Sequence, residues 1–202
     1  MQIKAVFFDL GNVLLGFDWK RTYSGILEKS LLSPEELGKR FYRTRYIQYE
    51  LNQISTDEFF SELKELLQYE GTTEKLRDIV QDIFFPLEKN IALAKSLSCD
   101  YRLGIISNTN QVHADFFEAQ YDFLDLFKVR IYSHQAGVRK PDREIYDLAL
   151  SLMRVAPEES IFIDDMKENV EAARELGWNT IHYKNDTDLE RELSSMGVMT
   201  SP

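Results

Sequence analysis

The chain of 202 residues lacks several features that would place it at once in a special class. A single cysteine, Cys99, excludes an internal disulfide framework. No stretch approaches the roughly 18 consecutive apolar residues of a membrane-spanning helix. The chain also has no basic start followed by a long apolar signal core. We therefore expect a cytoplasmic protein that has no membrane partner.

Positive charge is scarce as well, with 24 Lys and Arg against 34 Asp and Glu and a net charge of −10. This balance argues against a nucleic acid as partner, although a local positive site could still hold a small anion. The three histidines, His113, His134 and His182, do not have the spacing of a metal site. We expect all three to be structural or surface residues.

The most informative segment that is present lies near the start of the chain. Residues 3–8 are apolar at almost every position and end in one acid, Asp9, followed by Gly11 and Asn12. Such a run is typical of a parallel strand covered on both faces, and a glycine lets the chain turn sharply at its end. Ligands of open α/β sheets bind at this carboxyl edge, so Asp9 is a candidate for covalent catalysis. By itself the signal is weak, because many strands end in an Asp that only caps the next helix.

The rest of the chain divides into two patterns. Strand patterns occur at residues 102–107, 128–133, 160–165 and 179–183, and helical patterns separate them, including residues 90–97, 142–153 and 167–176. Alternating strands and helices predict an α/β fold with a Rossmann-like, doubly wound parallel sheet. Between the first two strands the patterns are only helical, at residues 19–30, 34–49, 56–69 and 73–84. We expect a core domain (residues 1–16 and 87–202) and an inserted α-helical cap domain (residues 17–86) over the active edge.

Three further strand ends carry polar groups suited to the same site. Ser107 and Asn108 end one strand at the start of a helix, where hydroxyl and N–H groups can hold a phosphate oxygen. Lys140 directly precedes a predicted helix. Alone, each of these also fits an ordinary helix cap or a solvated charge. Asp164 and Asp165 end an apolar strand as adjacent carboxylates, which repel unless a cation binds them, and this pair therefore indicates a metal site.

The order of these strand ends resembles the haloacid dehalogenase-like (HAD) superfamily of hydrolases, most of whose members are phosphatases. The four motifs are Phe-Phe-Asp9-Leu-Gly-Asn-Val, Ile-Ile-Ser107-Asn-Thr-Asn, Arg-Lys140-Pro-Asp and Phe-Ile-Asp164-Asp165-Met-Lys-Glu-Asn169. The resemblance covers nearly the whole chain, and the helical insert matches the cap of one large subgroup. More closely, Asp-Leu-Gly-Asn-Val, Ser-Asn-Thr-Asn and Val-Arg-Lys-Pro-Asp look like the bacterial branch that contains an α-D-glucose-1-phosphate phosphatase.

The resemblance implies a Mg²⁺-dependent phosphatase for a small phosphorylated metabolite, such as a sugar phosphate, working as a monomer or small homo-oligomer. Asp9 would attack phosphorus to give an aspartyl-phosphate, which water then hydrolyses. Mg²⁺ would bind the Asp9 carboxylate, the Gly11 carbonyl and the Asp165 carboxylate, and Asp164 would help directly or through water.

The same resemblance assigns the binding of the phosphoryl oxygens. Ser107, the Asn108 N–H and Lys140 would hold them as charge develops in the transition state. Lys140 would thus be both a substrate-binding and a catalytic residue, and it would also shield the carboxylate cluster.

One position departs from the pattern of the superfamily. Its phosphatases usually carry a second Asp two residues after the nucleophile, as proton donor and acceptor, and this chain has Gly11 there. Loss of such a group typically costs roughly 10²- to 10⁴-fold in rate. Three possibilities follow: a slow or selective phosphatase for substrates with good leaving groups, a replacement acid such as Asp18 or a cap residue, or a low-turnover protein that binds phosphorylated ligands.

A haloacid dehalogenase is the alternative enzyme, because departure of a halide needs no proton. Dehalogenation also needs no metal, and the dehalogenases of the superfamily lack the paired acids. Asp164 and Asp165 therefore favour phosphoryl transfer.

Substrate choice should come from the cap. Residues 41–46, with Tyr49 and Glu50, concentrate aromatic and arginine side chains on one predicted helix. Some of them could face the phosphoryl site, although we expect most to be core residues or solvated charges.

Overall fold

The structure is a computed structural model that describes residues 2–41 and 43–199. In chain order these residues form the strands β1 (Ala5–Phe8), β2 (Leu15–Phe17), β3 (Phe84–Pro86), β4 (Arg102–Ser107), β5 (Val129–Tyr132), β6 (Ser160–Asp164) and β7 (Asn179–His182). The helices are α1 (Trp19–Leu27), α2 (Pro34–Phe41), α3 (Tyr46–Glu50), α4 (Thr56–Leu66), α5 (Thr73–Gln81), α6 (Glu88–Leu97), α7 (Gln111–Gln120), α8 (Ser133–Ala136), α9 (Arg143–Met153), α10 (Lys167–Glu175) and α11 (Leu189–Ser195). Among these helices, none combines the length and the apolar character that a membrane crossing requires.

Five of the strands form a parallel sheet in the order β5-β4-β1-β6-β7. Successive side chains of β1 point to opposite faces, as strand geometry requires. Val6 and Phe8 pack in a cluster with side chains of α6, α7 and α11, while Ala5 and Phe7 pack in a second cluster with side chains of α9 and α10. Helices therefore cover both faces of the sheet, and the predicted α/β fold with a doubly wound parallel sheet is confirmed.

Helices α1 to α5 lie between β2 and β3, and we call residues 18–83 the helical insert. β2 and β3 pair antiparallel, with Leu15 opposite Pro86 and Phe17 opposite Phe84. The insert encloses a hydrophobic cluster of its own, whose members include Leu37, Phe60 and Leu76. The division into a core domain and a cap domain with bounds at residues 16/17 and 86/87 stays a prediction.

Two predictions for the insert were wrong. The single helix predicted over residues 34–49 is two helices, because α2 ends at Phe41 and α3 begins at Tyr46. The Phe41 carbonyl accepts hydrogen bonds from both the N–H and the hydroxyl of Thr44, so a local turn replaces the next helical bonds. Tyr42 lies outside the described residues. Phe84 was predicted to end a helix, but it lies in β3.

Candidate active site

The carboxyl ends of β1, β4 and β6 meet at one edge of the sheet, as expected for neighbouring parallel strands. The Asp9 N–H, directly after β1, donates to the Ile163 carbonyl of β6 at 2.8 Å. A cavity of about 190 Å³ opens at this edge, and among the residues that line it are Asp9, Gly11, Ser107, Asn108, Lys140 and Asp165. Asp164 is fully buried and contacts Lys140. The structure thus brings together all seven residues that the sequence predicted for the site.

The Lys140 ammonium lies between two carboxylates. Its Nζ is 2.8 Å from Asp9 Oδ1 and 2.6 Å from Asp164 Oδ2, and the lysine is only 2% exposed. Burial alone would lower the pKa of Lys140, but Asp164 and Asp9 together raise it above its ordinary value. The side chain of Asn108 holds the backbone of this lysine, because its Oδ1 accepts from the Lys140 N–H at 2.8 Å and its Nδ2 donates to the Lys140 carbonyl at 2.9 Å.

The surroundings of Asp9 disfavour its ionised form, even though Lys140 lies next to it. Burial raises the pKa of Asp9 to about 7; Lys140 lowers it, and repulsion by Asp164 and Asp165 adds to the rise. The Leu10 N–H donates to Asp9 Oδ1 at 2.7 Å, which fixes the carboxylate at the strand end.

Asp9, Asp164 and Asp165 form a cluster that could hold a metal ion, since one oxygen from each lies within 4.8 Å of the others. Burial, followed by repulsion from Asp164, raises the pKa of Asp165, while a hydrogen bond from Asn12 lowers it. Three carboxylates against one ammonium leave an excess of negative charge, which suits a hard divalent cation. Within the described part of the chain, Oδ1 of the buried Asn169, which lines the cavity, also has no hydrogen-bond partner. The donor set therefore fits Mg²⁺.

The Asp164 carboxylate is more fully occupied by protein donors than the other two. Its Oδ1 accepts from the Met166 N–H at 2.7 Å and from Asn169 Nδ2 at 3.0 Å, and its Oδ2 accepts from Lys140. Asp9 and Asp165, which line the cavity, are the carboxylates better placed to contact a ligand.

The helical insert contributes two polar side chains of α3 to the cavity, Tyr46 and Glu50. Glu50 Oε2 is 3.2 Å from Arg139 Nη2, and the Glu50 carbonyl accepts from Ser133 Oγ at 2.8 Å. Burial raises the pKa of the Glu50 carboxyl, while Arg139 and Lys140 oppose the rise. The sequence placed Glu50 in an aromatic and charged segment but gave no sign that it reaches Arg139.

Phe17 occupies the space beside Gly11. A Cβ atom on Gly11 would lie 2.9 Å from Cζ of Phe17, closer than real side-chain contacts allow. The Phe17 ring also contacts Phe84, with ring centroids 5.5 Å apart, and both residues line the cavity. Asp18, the replacement acid considered from the sequence, instead accepts from the Arg21 N–H at 3.0 Å to cap α1 and is absent from the described residues that line the cavity.

The histidines lie in three different surroundings. His113 is buried and lines the cavity, which the sequence did not predict, and its Nε2 is 3.1 Å from the Val80 carbonyl. His134 is buried against Tyr132, with ring centroids 6.1 Å apart. His182 Nε2 is 3.0 Å from the Asp165 carbonyl.

Comparison with known proteins now places the chain in a family. A model of the haloacid dehalogenase-like hydrolases matches residues 3–177, so the chain belongs to this family of hydrolases. It is 26% identical over 201 residues to a D-ribitol-5-phosphate phosphatase of Bacteroides thetaiotaomicron, covering 96% of this chain and 98% of the relative. It is 29% identical over 205 residues to a sesquiterpene phosphatase of Aspergillus oryzae, covering 96% of each.

Solved structures agree with this placement. A HAD family enzyme from Bacteroides thetaiotaomicron, in complex with magnesium and inorganic phosphate, matches with a TM-score of 0.81 and 25% identity over 94% of this chain and 98% of that one. An L-2-haloacid dehalogenase from Xanthobacter autotrophicus shares the fold, with a TM-score of 0.67 and 20% identity over 98% of this chain and 85% of that one. The predicted superfamily is confirmed, and the finer resemblance to the glucose-1-phosphate branch stays a prediction.

Proposed function

We propose that the protein is a Mg²⁺-dependent phosphatase that hydrolyses a small phosphorylated metabolite through an aspartyl-phosphate. The observation that carries the proposal is the arrangement of Asp9, Asp164 and Asp165 around Lys140 at one edge of the sheet. It combines a nucleophile, a cation for the phosphoryl group and a carboxylate cluster that suits a metal. The phosphatases among the relatives and the magnesium and phosphate in the similar solved structure support the proposal.

In the proposed reaction an oxygen of Asp9 attacks phosphorus as the bond to the leaving oxygen breaks. Lys140 and Ser107 hold phosphoryl oxygens, with the Asn108 N–H as a further donor. Water then attacks the aspartyl-phosphate, which releases phosphate and restores Asp9. Asp9, Asp165 and the Gly11 carbonyl, with Asp164 directly or through water, would hold Mg²⁺, which would neutralise charge between nucleophile and phosphate.

The apolar part of the cavity bears on the choice of substrate. Phe17, Phe84 and Phe117 line it together with the polar residues at the strand ends. A substrate that presents an apolar face beside its phosphate, such as the C–H face of a sugar, fits this wall. The proposal therefore keeps a sugar phosphate within the substrate class.

The test is a screen of phosphate esters with Mg²⁺, scored by phosphate release. We expect release from at least one ester, and we expect Asp9→Asn or removal of the cation by EDTA to lower it by orders of magnitude. Circular dichroism of Asp9→Asn checks that a loss of activity is not caused by unfolding. Full activity without Asp9 or without a divalent cation would contradict the proposal.

The alternatives give different results in the same screen. Halide release from 2-haloacids without phosphate release would identify a dehalogenase. Saturable binding of phosphate esters with no turnover would identify a phospholigand-binding protein.

A further inference from the structure

We infer that Glu50, on α3 of the helical insert, is the acid that protonates the leaving oxygen. The inference rests on the proposed phosphatase reaction, in which an alkoxide leaving group needs a proton. It adds a catalytic residue that the four motifs do not contain.

The usual position of such an acid is closed in this chain. Residue 11 is a glycine, and Cζ of Phe17 lies 2.9 Å from the place of its missing Cβ. Since residue 11 has no side chain and the Phe17 ring lies beside it, a side-chain proton donor has to come from another part of the cavity.

Most of the other titratable groups lining the cavity already have a role in the proposed reaction or are fixed in a form that gives up no proton. Asp9 is the nucleophile, Asp165 accepts from Asn12 Nδ2 at 2.9 Å within the carboxylate cluster, and Lys140 is held by two carboxylates. The two ring nitrogens of His113 lie 3.1 Å from the Val80 carbonyl and 3.2 Å from Asn110 Nδ2. These contacts fix a neutral imidazole that donates to the carbonyl and accepts from the amide.

The phenol of Tyr46 and the guanidinium of Arg139 also line the cavity but are unsuited to the role of acid. Arg139 does not lose its proton in proteins. Burial raises the pKa of Tyr46 far above its ordinary value, and repulsion by Glu50 adds to the rise, so the phenol is a weak acid. Among the described residues that line the cavity, Glu50 is therefore the remaining acid that could donate the proton.

Glu50 is held in place by the residues that flank two motifs. Ser133 Oγ donates to the Glu50 carbonyl, and the same hydroxyl is 3.0 Å from the Thr109 N–H, just after Ser107 and Asn108. Arg139, next to Lys140 in the chain, contacts the Glu50 carboxylate through Oε2. These contacts fix an acid of the insert beside Thr109 and Arg139, the chain neighbours of the phosphoryl-binding Asn108 and Lys140.

The surroundings of Glu50 allow it to carry a proton when substrate is present. The charged groups facing it are Arg139 and Lys140, which lower its pKa, and its burial outweighs them. A bound phosphate ester brings negative charge next to both cations, which favours the protonated carboxyl. Glu50 then gives its proton to the leaving oxygen as the Asp9–phosphorus bond forms, and its carboxylate takes a proton from the attacking water in the second step.

The test compares Glu50→Gln on two esters that differ in leaving group. On an alkyl phosphate, whose alkoxide needs a proton, kcat/KM should fall about 10²-fold or more. On p-nitrophenyl phosphate, whose leaving group departs without a proton, the burst of p-nitrophenol should change only a few-fold. Glu62→Gln is the matched control, because Glu62 also pairs with an arginine of the insert, Arg45 at 2.6 Å, but does not line the cavity.

Two results would overturn the inference. An equal loss on both esters would mean that Glu50 holds the substrate or the insert, and no loss on either would place the acid elsewhere. The pH profile of the wild-type protein is a second test that needs no variant: the ratio of kcat/KM for the alkyl ester to kcat/KM for p-nitrophenyl phosphate should fall with rising pH, because ionisation of Asp9 affects both esters alike. A ratio that does not change with pH would contradict the role. Failure of the proposed function is distinct, because the wild-type protein would then release phosphate from neither ester.

Discussion

The positive charge of Lys140 is buried, so water does not screen it. Its side chain is fully buried between Asp9 and Asp164, and Asn108 binds both its N–H and its carbonyl. Removal of one partner from a buried ion pair is costly because the other charge stays behind without compensation. Lys140 therefore contributes to the stability of the fold as well as to the proposed chemistry.

We predict that Lys140→Met lowers phosphate release by orders of magnitude and also lowers the free energy of unfolding by on the order of 3 to 5 kcal/mol. Urea unfolding followed by circular dichroism gives the second quantity. Lys39→Met is the control, because the Lys39 pair with Glu35 is exposed and should change stability by less than about 0.5 kcal/mol. Equal stability of the Lys140 and Lys39 variants would show that the buried lysine is not structural.

The sequence predicted Asp9, Ser107 and Asp164 well because each one lies at or directly after a strand end, whereas α8 separates Lys140 from β5. Asp9, Ser107 and Asp164 come after or at the end of apolar runs, and the carboxyl ends of parallel strands meet at one edge whatever lies between them in the chain. Glu50 and Arg139 could not be paired in this way, because their contact depends on how the helical insert packs on the core. The closed space beside Gly11 depends on the position of Phe17 in β2, which is equally non-local.

The prediction of strands and helices has the same limit, because local patterns do not show contacts between distant segments. The five sheet strands lie in segments whose local patterns predict strands, but β2 and β3 have three residues each and pair across the whole helical insert. Phe84 also continues the apolar spacing of α5, so its place in a strand depends on the partner strand and on its contact with the Phe17 ring. The break between α2 and α3 similarly depends on a turn that the Thr44 hydroxyl stabilises.

His113 connects α7 of the core to the end of α5 in the insert. Its ring lies 3.1 Å from the Val80 carbonyl and contacts Phe84 of β3 edge to face, with centroids 5.0 Å apart. Burial lowers the pKa of His113 from 6.5 to about 4. Because the unfolded chain takes up this proton at a higher pH than the folded protein does, the contribution to stability is complete above pH 6.5 and is lost as the pH falls toward 4.

We predict that the wild-type protein loses roughly 2 kcal/mol of unfolding free energy through this histidine between about pH 7 and 5. His113→Gln keeps a donor and an acceptor but has no group that takes up the proton, so its stability should fall less over the same range. Urea unfolding at several pH values measures both slopes. The carboxylates titrate in both proteins, so identical slopes would show that His113 is not the group responsible.

At the scale of the whole molecule, the chain has an excess of negative charge, and the site gathers more of it in one place. The net charge is −10, and the cluster of Asp9, Asp164 and Asp165 places three acids within a few ångströms of one another. The fold therefore brings like charges together at the sheet edge, and a cation bound there should stabilise the folded protein over the unfolded chain.

We predict that saturating Mg²⁺ raises the melting temperature by about 5 to 10 °C, since a ligand at 100 times its Kd adds about 2.7 kcal/mol and each kcal/mol shifts Tm by about 2 to 4 °C at this size. Asp165→Asn should abolish most of this rise. Its metal-free form should melt no lower than the metal-free wild-type protein, because the substitution removes one of the repelling charges. Calorimetry with Mg²⁺, with EDTA and with KCl at equal ionic strength separates binding from general screening of the net charge. An unchanged Mg²⁺ effect in Asp165→Asn would place the stabilising cation away from the carboxylate cluster, and with it the metal of the proposed reaction.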